Sequence, residues 1–121
     1  MTKKILIVDD EPNIVLSLEF MLKKEGFEVA VAGDGDAALA KIAAFAPDLV
    51  LLDVMMPHKS GYEVCQTVRA DPAQGALKII MLSAKGRETE VAKGLAMGAD
   101  AYVTKPFSTK ELVAQVKALL A

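Results

Sequence analysis

The sequence predicts one doubly wound α/β domain, a (βα)5 unit of five parallel strands alternating with five helices that cover both faces of the sheet. Three observations predict it. Short, uninterrupted apolar runs recur five times, and a strand buried on both faces reads as such a run, whereas a strand with one wet face alternates. Stretches of helical period lie between the runs. The chain of 121 residues fits one domain, expected over residues 1–121, and can bury a core that needs neither disulfide nor metal.

The elements follow in order. Ile5-Leu6-Ile7-Val8 is the first strand, stopping at Asp9-Asp10. Ile14, Leu18, Met21 and Leu22 then recur at helical spacing, and Gly26 is placed to end that helix. Glu28 to Ala32 is a weaker strand, punctuated by Gly33-Asp34-Gly35; Ala38, Leu39, Ile42 and Phe45 stripe the next helix, which Pro47 closes. Leu49 to Leu52 is a buried-type strand that stops at Asp53. Past a loop holding Pro57, Ser60 and Glu63 stand in capping-box spacing, and Val64, Cys65 and Val68 face inward behind them. Ile79 to Leu82 forms the fourth strand, ending at Ser83, and Val91, Ala92 and Leu95 mark the fourth helix, with Gly98 after it. Ala101-Tyr102-Val103 is a short fifth strand before Thr104-Lys105-Pro106. Ser108 and Glu111 make a second capping box, opening a helix lined by Leu112, Val116, Leu119 and Leu120.

Composition removes several classes of function. Fourteen basic against 16 acidic side chains leave a net charge of −2, and the charges do not gather by sign, so no basic face is offered to nucleic acid. Apolar runs such as Ile5–Val8 hold four residues, against about twenty for a membrane helix. The basic start at Lys3-Lys4 is followed by a run that breaks at Asp9, too short for a signal peptide. A lone Cys65 cannot pair within the chain and is expected as a small buried hydrophobe in a reducing, cytoplasmic compartment.

In sheets of this kind ligands sit beyond the carboxyl ends of the strands. There the chain delivers Asp9 and Asp10 from strand one, Asp53 from strand three, Ser83 from strand four and Lys105 from strand five. Each has a plainer reading: Asp10 as a helix cap, Asp53 as a turn former, Ser83 as a cap and Lys105 as a solvated charge. Those readings leave unexplained why acids end strands one and three while a base ends strand five. Three carboxylates and one ammonium leave the pocket at −2, a charge that one divalent cation cancels. Oxygen ligands select a hard ion, and a partly hydrated octahedral site suits Mg2+. A carboxylate beside a metal, a hydroxyl and an amine can take up a phosphoryl group.

Four segments, in order and at matching spacing, resemble the receiver domains of two-component response regulators: Ile-Val-Asp-Asp-Glu-Pro (7–12), Asp-Leu-Val-Leu-Leu-Asp-Val-Met-Met-Pro (48–57), Met-Leu-Ser-Ala-Lys (81–85) and Gly-Ala-Asp-Ala-Tyr-Val-Thr-Lys-Pro-Phe (98–107). The resemblance runs from Lys4 to Leu120. It implies the strand order 2-1-3-4-5 known for chemotaxis receivers of that family. It also implies that Asp53 is the phosphoacceptor, taking a phosphoryl group from a sensor histidine kinase or a histidine phosphotransfer protein. Asp10, Asp53 and the backbone carbonyl of Met55 would hold magnesium, with Asp9 acting through water. Ser83 and Lys105 would bind phosphoryl oxygens, and Tyr102 would turn inward as Ser83 moves, reshaping the surface of helix four, strand five and helix five. Lys105-Pro106 would be a cis peptide. The chain would then be a phosphoacceptor switch rather than an enzyme, with its output partner unknown.

Departures from the family pattern fall at His58-Lys59-Ser60, where His58 reads as an exposed loop residue, and on the surface of helix four, strand five and helix five. There Val91, Ala96, Ala101 and Gln115 replace the dimerising charges of the winged-helix branch, leaving Asp100 and Glu111. Met55 and Lys85 stand where the family tunes phosphoryl lifetime. A haloacid-dehalogenase-like phosphatase would need Asp-x-Asp after strand one, which Asp9-Asp10 does not match. A scaffold that never takes phosphate has no use for so charged a pocket.

Overall fold

The computed structural model describes residues 2–56, 59–84 and 88–121; Pro57, His58 and Lys85 lie outside them. The strands are β1 (Lys4–Val8), β2 (Glu28–Ala32), β3 (Leu49–Asp53), β4 (Lys78–Ser83) and β5 (Ala101–Thr104). They alternate with α1 (Pro12–Lys24), α2 (Gly35–Phe45), α3 (Gly61–Ala70), α4 (Glu88–Ala96) and α5 (Thr109–Leu120), and a 3₁₀ turn at Pro72–Gln74 precedes β4. All pairings are parallel and the order is β2-β1-β3-β4-β5. The ladder takes in Asp53 and Ser83 themselves, in register with Leu82 and Thr104, so both close their strands instead of following them.

Alternation along each strand divides the core in two. Leu6, Val8, Val50, Leu52, Ile79 and Met81 face α2 and α3, meeting Ala38, Ile42, Val64, Cys65 and Val68. Ile5, Ile7, Leu49, Leu51, Ile80 and Leu82 face α1 and α5, meeting Leu18, Leu22, Leu112, Val113 and Val116. Both sides of β1, β3 and β4 are covered, which is the physical reason their sequences are continuous apolar runs.

The helix starts are mostly side-chain capped. Asp34 accepts the Ala37 N–H at 2.8 Å, and Ser60 and Glu63 close a full capping box. At α5 the expected second box is half formed: the Ser108 hydroxyl accepts the Glu111 N–H, with no return bond. The cap position of α1 is Glu11, ahead of Pro12, and no side chain caps it, so Asp10 is not a helix cap.

Helix α4 departs from its predicted stripe. Leu95 is 45% exposed and Ala92 is exposed, while the buried position is Gly94. A Cβ on Gly94 would lie 2.7 Å from the Tyr102 ring and 3.0 Å from Met81 Sδ. The helix therefore seats an aromatic ring on bare backbone, a contact that apolar periodicity does not report. Asp100, expected as a surface charge, stays exposed but is bonded within the chain. It accepts from Arg69 at 2.9 Å and from the Ile79 N–H at 2.8 Å, while Arg69 also donates to the carbonyls of Leu77 and Gly98.

Gly61 opens α3 against the end of β3. A Cβ there would press on the Asp53 carbonyl oxygen and lie 2.9 Å from Val54 Cα, both backbone atoms that cannot turn aside. Gly61→Ala is expected to lose about 2–4 kcal/mol in urea unfolding, and Ser60→Ala, which removes the cap, about 1 kcal/mol.

Candidate functional site

The sheet brings the five polar residues together at the carboxyl ends of its four central and edge strands. β1 and β3 lie side by side with Val8 opposite Leu52, so Asp9 and Asp53 emerge as neighbours. β4 adds Ser83, and β5 runs on through Thr104 to Lys105, whose N–H donates to the Ser83 carbonyl at 2.7 Å. The peptide between Lys105 and Pro106 is cis.

Asp9 and Asp53 are each 2% exposed and Ser83 is fully buried, while Asp10 is exposed. One Asp9 oxygen accepts the Glu11 N–H at 2.9 Å, and one Asp53 oxygen accepts the Met55 N–H at 3.3 Å. Asp53 thus does form the two-residue turn of its plainer reading, and the same oxygen also faces the lysine. Lys105 Nζ lies 3.0 Å from Asp9 Oδ2, 2.9 Å from Glu11 Oε1 and 3.5 Å from Asp53 Oδ1. Glu11 was not anticipated as part of the site. Its place beside Asp9-Asp10 in the acidic run was the available signal, but the bond spans 94 positions and no spacing in the sequence encodes it. With Glu11 counted, four carboxylates face one ammonium, a net −3.

The electrostatics follow from burial and crowding. The Asp53 carboxyl is pushed up to about 6, first by burial and then by the charge of Asp9, with Lys105 pulling the other way. Burial would lower the Lys105 ammonium, but its bonds to Glu11 and Asp9 and the charge of Asp53 outweigh that and raise it.

One oxygen from each of Asp9, Asp10 and Asp53 can be chosen so that all lie within 4.8 Å of one another. Ligand oxygens around an octahedral ion with bonds of 2.0–2.1 Å stand about 3–4 Å apart, so the donor set fits a hard divalent cation with little adjustment. Exposed Asp10 leaves the water side open, as a partly hydrated ion requires. Met55 itself is 56% exposed.

Tyr102 is half-buried on the edge strand, opposite Met81, with its ring over Gly94. Beside it lies a contact absent from the sequence reading. The Tyr62 hydroxyl of α3 donates to Glu90 Oε2 of α4 at 3.0 Å, and Lys93 Nζ sits 4.5 Å from the Tyr62 ring centre. The Tyr62 phenol is raised, first by burial and then by hydrogen bonding with Tyr102 and Glu90.

Comparison with known proteins agrees with this geometry. The family model described as response regulator receiver domain matches residues 5–117. A Chloroflexus aurantiacus protein described as a response regulator is 38% identical with a TM-score of 0.93, covering 99% of this chain and 98% of that one. A BeF3-activated DrrB receiver domain is 36% identical at a TM-score of 0.89, covering 99% and 98%. The chemotaxis response regulator CheY4 of Vibrio cholerae is 31% identical at 0.92, covering 98% and 99%. With the family model covering nearly the whole chain and the strand ends carrying this acid, hydroxyl and lysine set, the chain belongs to the response regulator receiver domain family.

Proposed function

We propose that Asp53 is a phosphoacceptor that takes its phosphoryl group from the phosphohistidine of a sensor kinase or histidine phosphotransfer protein. The observation that carries this reading is the buried Asp53 carboxylate set 3.5 Å from the Lys105 ammonium and within one cation's reach of Asp9 and Asp10. With its pKa near 6, Asp53 is ionised at neutral pH and so nucleophilic. A carboxylate oxygen attacks phosphorus and the P–N bond of the donor breaks. The electron pair stays on the imidazole, and Asp53 becomes an acyl phosphate.

Asp10, Asp53 and the Met55 carbonyl are the proposed magnesium ligands, with Asp9 through water; the ion supplies countercharge to the phosphoryl oxygens. Lys105 turns an N–H to one of those oxygens and Ser83 its hydroxyl to another. The phosphoryl group brings a charge of about −1.5 to −2 and three acceptors to the pocket. Drawing Ser83 toward it opens room for Tyr102, and the α4–β5–α5 surface changes for a downstream partner. A protein donor could use the apolar surface of α1, where Leu16 and Phe20, 68% and 66% exposed, lie one turn apart. Receiver domains act as switches that take part in their own phosphorylation, and no helix among the described residues is long and apolar enough to cross a membrane. The cytoplasm, where kinases present phosphohistidine, is the proposed compartment.

Intact mass after incubation with acetyl phosphate tests the assignment. The native chain is expected to gain one phosphoryl group in the presence of magnesium and none with a chelator, and Asp53→Asn none in either. An adduct that survives in Asp53→Asn would move the acceptor elsewhere.

A second expectation concerns stability. Because the folded Asp53 pKa is raised from 3.8 to about 6, its stabilising contribution is complete below about pH 4 and is lost as pH rises through 6. Without magnesium, Asp53→Asn should match the native chain near pH 4 and exceed it by about 2–3 kcal/mol above pH 7, read by urea unfolding across that range. Magnesium at pH 7.5 should raise the native melting temperature and raise that of Asp53→Asn less.

A further inference from the structure

We infer that Glu11 is a positioning residue for the transfer onto Asp53, acting through Lys105: its carboxylate holds back the ammonium that an arriving phosphoryl oxygen must draw toward Asp53. The inference rests on the phosphoacceptor reading of Asp53. An ammonium has three N–H donors, and Lys105 faces three carboxylates, Glu11 at 2.9 Å, Asp9 at 3.0 Å and Asp53 at 3.5 Å. Two of its donors are hydrogen-bonded, to Glu11 and Asp9, and Asp53 lies at a longer ion-pair distance, so a phosphoryl oxygen on Asp53 draws the ammonium inward against the two shorter bonds.

Exposure decides which partner yields. The Asp9 side chain is fully buried, and releasing it would leave a charged oxygen with no water to receive it. The Glu11 side chain is 56% exposed, so its oxygen passes from ammonium to water at small cost. The backbone of Glu11 is held separately, its N–H donating to Asp9 Oδ1 at 2.9 Å. The turn that places residue 11 therefore persists when its side chain changes. Glu11 is a releasable hold on Lys105, and its hold subtracts from the pocket's affinity for a phosphoryl group.

The test uses beryllofluoride, the species that activates the DrrB relative. Its binding to the whole chain in magnesium buffer is measured by calorimetry for the native protein, Glu11→Gln and Glu11→Asp. Glutamine keeps the reach but removes the charge, and aspartate keeps the charge but is one methylene too short for Lys105. Both variants should bind about twofold to fivefold more tightly than the native chain, with melting temperatures unchanged. Unchanged or weaker binding in both would overturn the inference while leaving Asp53 as acceptor. Tighter binding by Glu11→Gln alone would also overturn it, because repulsion at the pocket mouth would then account for the gain. A native chain that binds no beryllofluoride removes the phosphoacceptor reading and this inference together.

Discussion

Two carboxylates with almost no contact with water, Asp9 and Asp53, stand side by side at the end of the sheet, and one ammonium between them makes that arrangement tolerable. Like charges a few ångströms apart in a poorly hydrated pocket repel by an amount on the order of a few kcal/mol. Lys105 offsets much of this for Asp9, which it touches at 3.0 Å, and less for Asp53, which it approaches to 3.5 Å. Burial first, and then the incompletely offset charge of Asp9, raise the Asp53 pKa. A buried, crowded carboxylate favours whatever neutralises the pocket. The cost in stability falls on one buried carboxylate, and the surrounding core is large enough to bear it.

The bearing structure is the sheet. Ile7, Leu49, Leu51, Leu52, Ile80 and Leu82 are entirely without exposure, and they lock β1, β3 and β4 from both sides. The lysine arrives from the far end of the chain, 96 positions from Asp9, so the pair closes only when β5 has docked on β4. The pocket is therefore a product of completed folding, assembled from strand ends whose mutual positions the ladder registers set.

Much of this was legible in the sequence because it rests on short-range signals. Uninterrupted runs such as Leu49–Leu52 marked buried parallel strands, and residues ending those runs had to meet at one edge once the strands were parallel. The cap at Ser60 was legible for the same reason, as its partner is three residues away. What escaped were contacts made across the fold. Glu11 reaches Lys105, Asp100 reaches Arg69, and Tyr62 reaches Glu90 over separations of 94, 31 and 28 residues. A single sequence carries no record of such pairs. Gly94 escaped for a different reason: an absent side chain has no hydrophobicity to add to a stripe, although it is the buried point of α4.

Helices α3 and α4, joined by the contact of Tyr62 with Glu90, are mounted very differently. Helix α3 buries Gly61, Tyr62, Val64, Cys65 and Val68, and its first residue bears directly on the backbone of Asp53. Helix α4 buries one glycine, beneath the Tyr102 ring, and is otherwise tied by the polar contacts of Glu90 and Lys93 with Tyr62. In mechanical terms α3 is an anvil and α4 a plate resting on a single bearing. Under the proposed function, a disturbance at the strand ends would meet the firmly packed α3 and pass to α4, which has less apolar anchorage. That difference in anchorage between neighbouring helices, more than any one side chain, would give the proposed phosphoryl transfer a direction in which to travel.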